Sequence, residues 1–377
     1  MEGLIRKNRT SRFLNRILLG LVVLLLSAGQ TLAQNKILAQ YESKSSKGVS
    51  DATNVNSDDN SYAKVDAYGG AALGLGAYSG SIQMKFDQTV PANQWSYIRV
   101  DLDGGLIDAL LGGSLGDALG GVLSTVLLGD LTIQVSALDS GTTVLSRKSG
   151  QGFGTDRVRL LTTGDGYALI ALRPNKDYNQ LKFKASSVVL AAGTVFHNKV
   201  YDAFTFEGSG GECGRPFATS FDGSGLDLSV LPVGDQHLDR AIDTDEETHS
   251  TLKKPTLLGL SVAGSLSQYF YFPTSSSENT SVNMKISLGS GGVLNTDLLG
   301  ATQVIFYNGN DVVDKRALMS SLLNNTDVLN ALGGGSSEVV TFAPGKPFDR
   351  IEVRLNSPVG VSLLGSALDI YDVQRYD

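Results

Sequence analysis

Two stretches of this chain, 170 positions apart, align residue for residue. Arg173-Pro174-Asn175-Lys176-Asp177-Tyr178-Asn179-Gln180-Leu181-Lys182-Phe183 lies beside Ala343-Pro344-Gly345-Lys346-Pro347-Phe348-Asp349-Arg350-Ile351-Glu352-Val353, and the same offset pairs Val200-Tyr201-Asp202 with Ile370-Tyr371-Asp372. Chance does not hold a register of proline, lysine, aromatic ring and acid over such a span. The sequence therefore reads as a tandem duplication, and each copy must bury a core of its own. A second motif recurs near the start of each copy. Asn54-Val55-Asn56-Ser57-Asp58-Asp59-Asn60-Ser61-Tyr62-Ala63-Lys64-Val65 matches Ala241-Ile242-Asp243-Thr244-Asp245-Glu246-Glu247-Thr248-His249-Ser250-Thr251-Leu252. Both run from an apolar residue through short side-chain oxygens to an aromatic ring.

The segments between these motifs have the grammar of strands. Ser81–Phe86 and Trp95–Leu102 alternate with period two, as half-buried strands do. Leu131–Leu138, Thr143–Ser146, Arg157–Leu161, Tyr167–Leu172, Asn179–Ala185 and Lys199–Phe206 continue the series. The 44 glycines, with many Ser, Thr, Asn and Asp, cut the chain into short pieces separated by turns. An all-β chain of two tandem antiparallel β-sandwich domains follows, with Phe348, Ile351, Val353 and Leu355 facing the opposite sheet of the second. Long crossing connections predict jelly rolls. The expected boundaries are 38–207 and 217–377, joined by a Gly-rich linker at 208–216. The two modules are expected to superpose, apart from a Leu/Gly-rich insertion at Gly104–Asp130 in the first. That insertion reads as short amphipathic helices cut off by glycine pairs.

Residues 1–33 read as an export signal. Arg6, Lys7, Arg9, Arg12 and Arg16 precede a short apolar run, Ile17–Leu26, and Thr31-Leu32-Ala33 offers small residues for cleavage. The apolar run is short for a membrane span, and no later stretch suits one. Residues 1–33 hold five basic side chains and one acid, so their removal takes the net charge from −7 to −11. So acidic a chain suits neither nucleic acid nor an anionic membrane. Its single cysteine, Cys213, excludes an intramolecular disulfide framework.

The acid loop Ala-Ile-Asp-Thr-Asp-Glu-Glu-Thr-His-Ser is similar to the Ala-x-Asp-Gly-Asp-x-x-Thr signature of galactose-binding-like (discoidin-like) jelly rolls. With its late Phe348-Asp349-Arg350-Ile351-Glu352-Val353-Arg354-Leu355 strand, the whole module resembles tandem repeats of secreted surface proteins in Gram-negative gliding bacteria. Thr244 and Ser57 replace the usual turn glycine. The resemblance implies a structural Ca²⁺ on the acid loop. Its ligands would be Asp243, Asp245 and Thr248 with Asp372 in the second module, and Asn56, Asp58 and Ser61 with Asp202 in the first. Hard oxygens on a bent loop suit that ion. The bland reading of the same loops is an Asx turn with solvated acids.

No catalytic constellation stands out. Gly112-Gly113-Ser114-Leu115-Gly116 matches a nucleophile-elbow string but lacks the α/β setting that such elbows need. His237, Asp239 and His249 lack metal-ligand spacing and read as surface residues. Trp95, the one tryptophan, reads as core because it lies in an alternating strand. The expectation is a secreted or cell-surface, non-catalytic protein that binds glycan or another surface component, a cell-surface protein among them. The alternative is a structural spacer or assembly subunit without a small ligand.

Overall fold

The alternation of Ser81–Phe86 becomes a strand in which Ile82, Met84 and Phe86 are buried and Gln83 and Lys85 are not. Phe348, Ile351, Val353 and Leu355 are all fully buried, as their spacing predicts. The computed structural model describes residues 35–70, 75–102, 131–151, 153, 156–187, 193–207, 214–224, 237–253, 256–257, 260–261, 264–289, 296–323, 326–357 and 367–376. Residues 1–33, expected to be an export signal, the Gly104–Asp130 stretch with its Gly-x-Ser-x-Gly string, and residues 208–213 with Cys213 lie outside the described residues.

The first half runs through β1 (Asn35–Leu38), β2 (Gln40–Lys44), β3 (Val49–Ser50), β4 (Ala63–Tyr68), β5 (Tyr78–Val90), β6 (Ser96–Asp101), β7 (Leu131–Asp139), β8 (Thr142–Lys148), β9 (Val158–Thr163), β10 (Ala168–Leu172), β11 (Tyr178–Ser187) and β12 (Val195–Glu207). One face of its core is the antiparallel row β2-β5-β11-β7-β8. The other is β3-β4-β12-β6-β10-β9. The chain crosses between the rows several times, and apolar faces from Ala39 to Ala203 meet in one core.

The second half contains β13 (Ala218–Ser224), β14 (Ser250–Lys253), β15 (Thr256–Leu257), β16 (Leu260–Ser261), β17 (Gly264–Tyr271), β18 (Ser281–Leu288), β19 (Thr302–Asn308), β20 (Asp311–Ala317), β21 (Glu338–Phe342), β22 (Arg350–Ser357) and β23 (Ala367–Tyr376). Its rows are β13-β17-β22-β19-β20 and β14-β23-β18-β21. The five-strand row matches its counterpart in the first half strand for strand, and the core runs from Phe221 to Val373. Three short helices, Thr296–Ala301, Leu318–Leu322 and Thr326–Gly333, are features that the strand pattern did not predict. Leu298, Leu299, Leu318, Leu322 and Leu332 from these helices complete the core; the first two helices pack mainly on the five-strand row and the third on β18 and β21. No helix among the described residues is long and apolar enough to cross a membrane.

Alternation fails in β10 and in β17 for one cause. All five residues of β10 are buried, and so are the last six of β17. A strand reads this way when both of its faces are covered. Ile98, Leu160, Ala168, Ile170 and Leu172 enter the first core. Tyr97, Leu161, Leu169, Ala171 and Phe204 point the other way and pack against Ala218, Tyr269 and Tyr271 of the second half. At the edge, β9 pairs directly with β13 through Ala218 opposite Thr163 and Thr219 opposite Thr162. Gly164, in the turn after β9, is needed for this approach, because a Cβ there would come within 2.9 Å of Ile242 O.

Burying a large apolar side chain contributes roughly 1.5–3 kcal/mol, so this cluster competes with an association cost of about 4–15 kcal/mol. A chain cleaved at a protease site inserted among residues 208–213 is therefore expected to elute from a sizing column as one particle. Separate elution of the two fragments would show the seam to be too weak to hold them.

Candidate functional site

The two acid loops fold as Asx turns held by basic side chains. In the second half, Asp243 Oδ1 accepts from Asp245 N at 3.0 Å and Oδ2 accepts from Thr248 Oγ1 at 2.9 Å. Asp245 Oδ1 accepts from Glu247 N at 3.0 Å. These three predicted residues meet, but Asp372 accepts from Arg215 Nε at 2.9 Å and from Gln374 instead. Arg215 also reaches Glu246, and Lys285 donates to Glu246 O. In the first half, Asn56 Oδ1 caps Tyr41 N, and Ser61 Oγ lies against Ser57 Oγ and Asn54 O. Asp58 pairs with Lys36. Asp202, fully buried, takes Arg99 at 2.8 Å and Lys36 at 3.3 Å. Burial pushes the Asp202 carboxyl above its ordinary value against the pull of both cations, and the nearby Asp58 adds to the rise.

Arg99 stands across from Asp202 in the pairing of β6 with β12, and Lys285 stands across from Asp372 in the pairing of β18 with β23. Both halves thus place a basic side chain beside the closing-strand aspartate. A calcium ion wants six to eight oxygens around one point. Among the described residues no three acidic, histidine or cysteine groups converge in that way. Asp372 and Asp202, which the expected sites need, are engaged by Arg215 and by Arg99 with Lys36. His249 lies 4.8 Å from the Tyr371 ring and 3.8 Å from Asp369, while His237 starts a short 3-10 turn in a left-handed conformation.

A second place of interest lies elsewhere, in a cavity on the seam between the halves. It measures about 520 Å³, within the range of small-molecule sites. Its first wall is the turn Pro91–Trp95, which the sequence presents without an apolar pattern. Asn93, in the left-handed conformation at φ 66°, donates its N–H to Pro174 O at 2.7 Å. Gln94 Nε2 donates to Thr205 Oγ1 and Phe206 O, and Thr205 Oγ1 donates to Trp95 O. Tyr178, buried beneath, hydrogen-bonds Ser96 and Gln94 O. Trp95 is half-buried, packed against the apolar cluster of the seam as well as lining the cavity, with the Arg173 guanidinium 5.2 Å from its ring centroid. The opposite wall, Tyr271–Ser275 with Asp349 and Arg350, comes from the second half. The signal that could have found this place is the missing alternation in Tyr167–Leu172 and in Ser267–Tyr271. It marks strands covered on both faces, and so a seam.

No protein-family profile and no curated protein matches the chain. Among solved structures it is similar to allantoicase from Saccharomyces cerevisiae at 7% identity, covering 79% of this chain and 76% of that one with a TM-score of 0.25. A second allantoicase structure gives 8% identity over 90% of each chain and a TM-score of 0.26. A pair of CBM32 domains from Clostridium perfringens, solved with GalNAc, gives 12% identity, 93% and 95% coverage and a TM-score of 0.25. The all-β fold stands on the strands themselves, and these likenesses add no ligand or activity to it.

Two outcomes test the loops. Added Ca²⁺ or excess EDTA should leave the melting temperature of the whole chain unchanged, whereas an ion bound at a hundred times its dissociation constant would add about 2.7 kcal/mol. Arg99→Ala, which leaves the buried Asp202 carboxylate without its closest partner, should cost about 3–5 kcal/mol at neutral pH by urea unfolding. The sign with pH is set by a folded-state value above the unfolded 3.8. The stability that Asp202 contributes is complete below 3.8 and is lost as pH rises through the folded value. Part of the Arg99→Ala loss should therefore return on acidification toward pH 4.

Proposed function

We propose that this chain is an exported, non-catalytic binding protein of two sandwich modules, 38–207 and 217–377, and that it takes a carbohydrate in the seam cavity. The observation that carries this reading is the cavity's make-up. An aromatic ring, Trp95, stands among planar and hydroxyl polar groups from Asn93, Gln94 and Thr205, in a half-open space of about 520 Å³. Apolar ring faces against sugar C–H groups, with a few fixed polar groups to orient hydroxyls, are what such a ligand requires. The export signal and the acidic net charge support a place outside the cell. A structural spacer remains the second reading, and it draws on the seam, which holds the halves together without any ligand.

A glycan panel applied to residues 34–377, followed by calorimetry on the hits, tests the binding reading. Trp95→Ala should weaken any hit at least tenfold, about 1.4 kcal/mol, with the circular dichroism spectrum unchanged. Hits indifferent to Trp95→Ala would move the site away from the cavity, and a panel without hits would favour the spacer.

A further inference from the structure

Several partly buried arginines of the fold pair with acids. Arg99 meets Asp202, Arg215 meets Asp372, Arg316 meets Asp314 and Arg354 meets Glu352. Two seam arginines differ. Arg350 is 4% exposed and Arg173 is 6% exposed, and among the described residues neither side chain has an ion pair or a hydrogen bond. Arg350 lies in register with Tyr271 on one side and Tyr307 on the other. Its guanidinium sits 4.4 Å from the Tyr307 ring centroid, 5.7 Å from Tyr269 and 6.0 Å from Tyr271, and the residue borders the cavity. Ring faces attract a cation, but they do not replace the hydrogen bond that its buried Nε–H lost on leaving water.

The acids at hand do not answer for both cations. Asp349 Oδ2 accepts from Gly309 N at 2.9 Å. Burial pushes its carboxyl up toward the neutral form, against that hydrogen bond and both arginines. Glu207 is exposed at the rim. Asp156 pairs at 3.6 Å with Arg159, which also donates to Tyr271 Oη at 2.8 Å. Arg350 is the one cation among the described residues lining the cavity, beside Asp349 and Glu207, and Arg173 stands behind Trp95. A guanidinium presents a planar fork of N–H donors that matches an oxyanion.

We propose that the seam cavity takes an acidic carbohydrate, whose carboxylate or sulfate binds the Arg350 guanidinium while its ring lies toward Trp95. This inference rests on the carbohydrate reading and adds the charge to it. Arg173, behind the indole, is a positioning residue that raises the local potential.

Calorimetry on residues 34–377 with three matched oligosaccharides tests it: galacturonate oligomers, sulfated galactose oligomers, and neutral galactose oligomers of the same length. One acidic series should bind at least tenfold more tightly than the neutral one, and the series that does so identifies the anion. Arg350→Met should abolish the preference while melting at or above the parent's temperature, because it removes a buried cation that lacks a counter-ion. Arg350→Lys, which keeps the charge and loses the fork, should retain a reduced preference. Equal binding of neutral and acidic oligomers by the parent would overturn the inference and leave the carbohydrate reading standing. A preference that survives in both variants would overturn it as well. Absence of binding to all three would remove both.

Discussion

The structure depends on a sheet face that cannot be left in water. β6, β9, β10 and β12 turn Tyr97, Leu161, Leu169, Ala171 and Phe204 away from the first core, and a lone sandwich would expose them as one apolar patch. The second half covers that patch with Ala218, Tyr269 and Tyr271, and β13 adds itself to the edge of β9. Tyr97 stacks 5.2 Å from Phe204 and meets Phe217 edge-on at 5.0 Å. Backbone pairing and apolar contact at one place make the seam a continuation of the fold, not a contact between finished domains.

Aromatic hydroxyls and guanidiniums cannot enter such a layer without partners, and most of them bring partners along. Arg159 reaches Tyr271 Oη, which also meets Ser220 Oγ. Glu352, on the same face, is pushed up by burial, yet hydrogen bonds from Arg354, Ser267 and Tyr307 outweigh that and hold its carboxyl below the usual range. The network therefore keeps an ionised carboxylate in place. Against this background the unanswered Arg350 stands out, and the cavity beside it is where a ligand could complete what the protein leaves open.

Much of the fold was legible because alternation has a direct physical cause. Ile82, Met84, Phe86, Ile351, Val353 and Leu355 point inward where period two puts them, and the recurrent Pro174 and Pro344 turns lead into matching strands, β11 and β22. The site was much less so. The acid loops were read from spacing, which gave their internal Asx turns. It did not show that Lys36 and Arg99 would reach Asp202 from 166 and 103 positions away. Trp95 looked like core because its segment alternates; it lies just before β6, half-buried against the seam cluster, and lines the cavity. The three helices between Thr296 and Gly333 escaped because strand periodicity says nothing about the segments that complete a core between strands.

If the seam is part of one fold, neither half should melt without the other. Scanning calorimetry of residues 34–377 reads this most directly, because a cooperative unit gives a van't Hoff enthalpy equal to its calorimetric enthalpy. The account predicts a single transition with that equality for the whole chain. Two resolved transitions, each with the enthalpy of one sandwich, would contradict it.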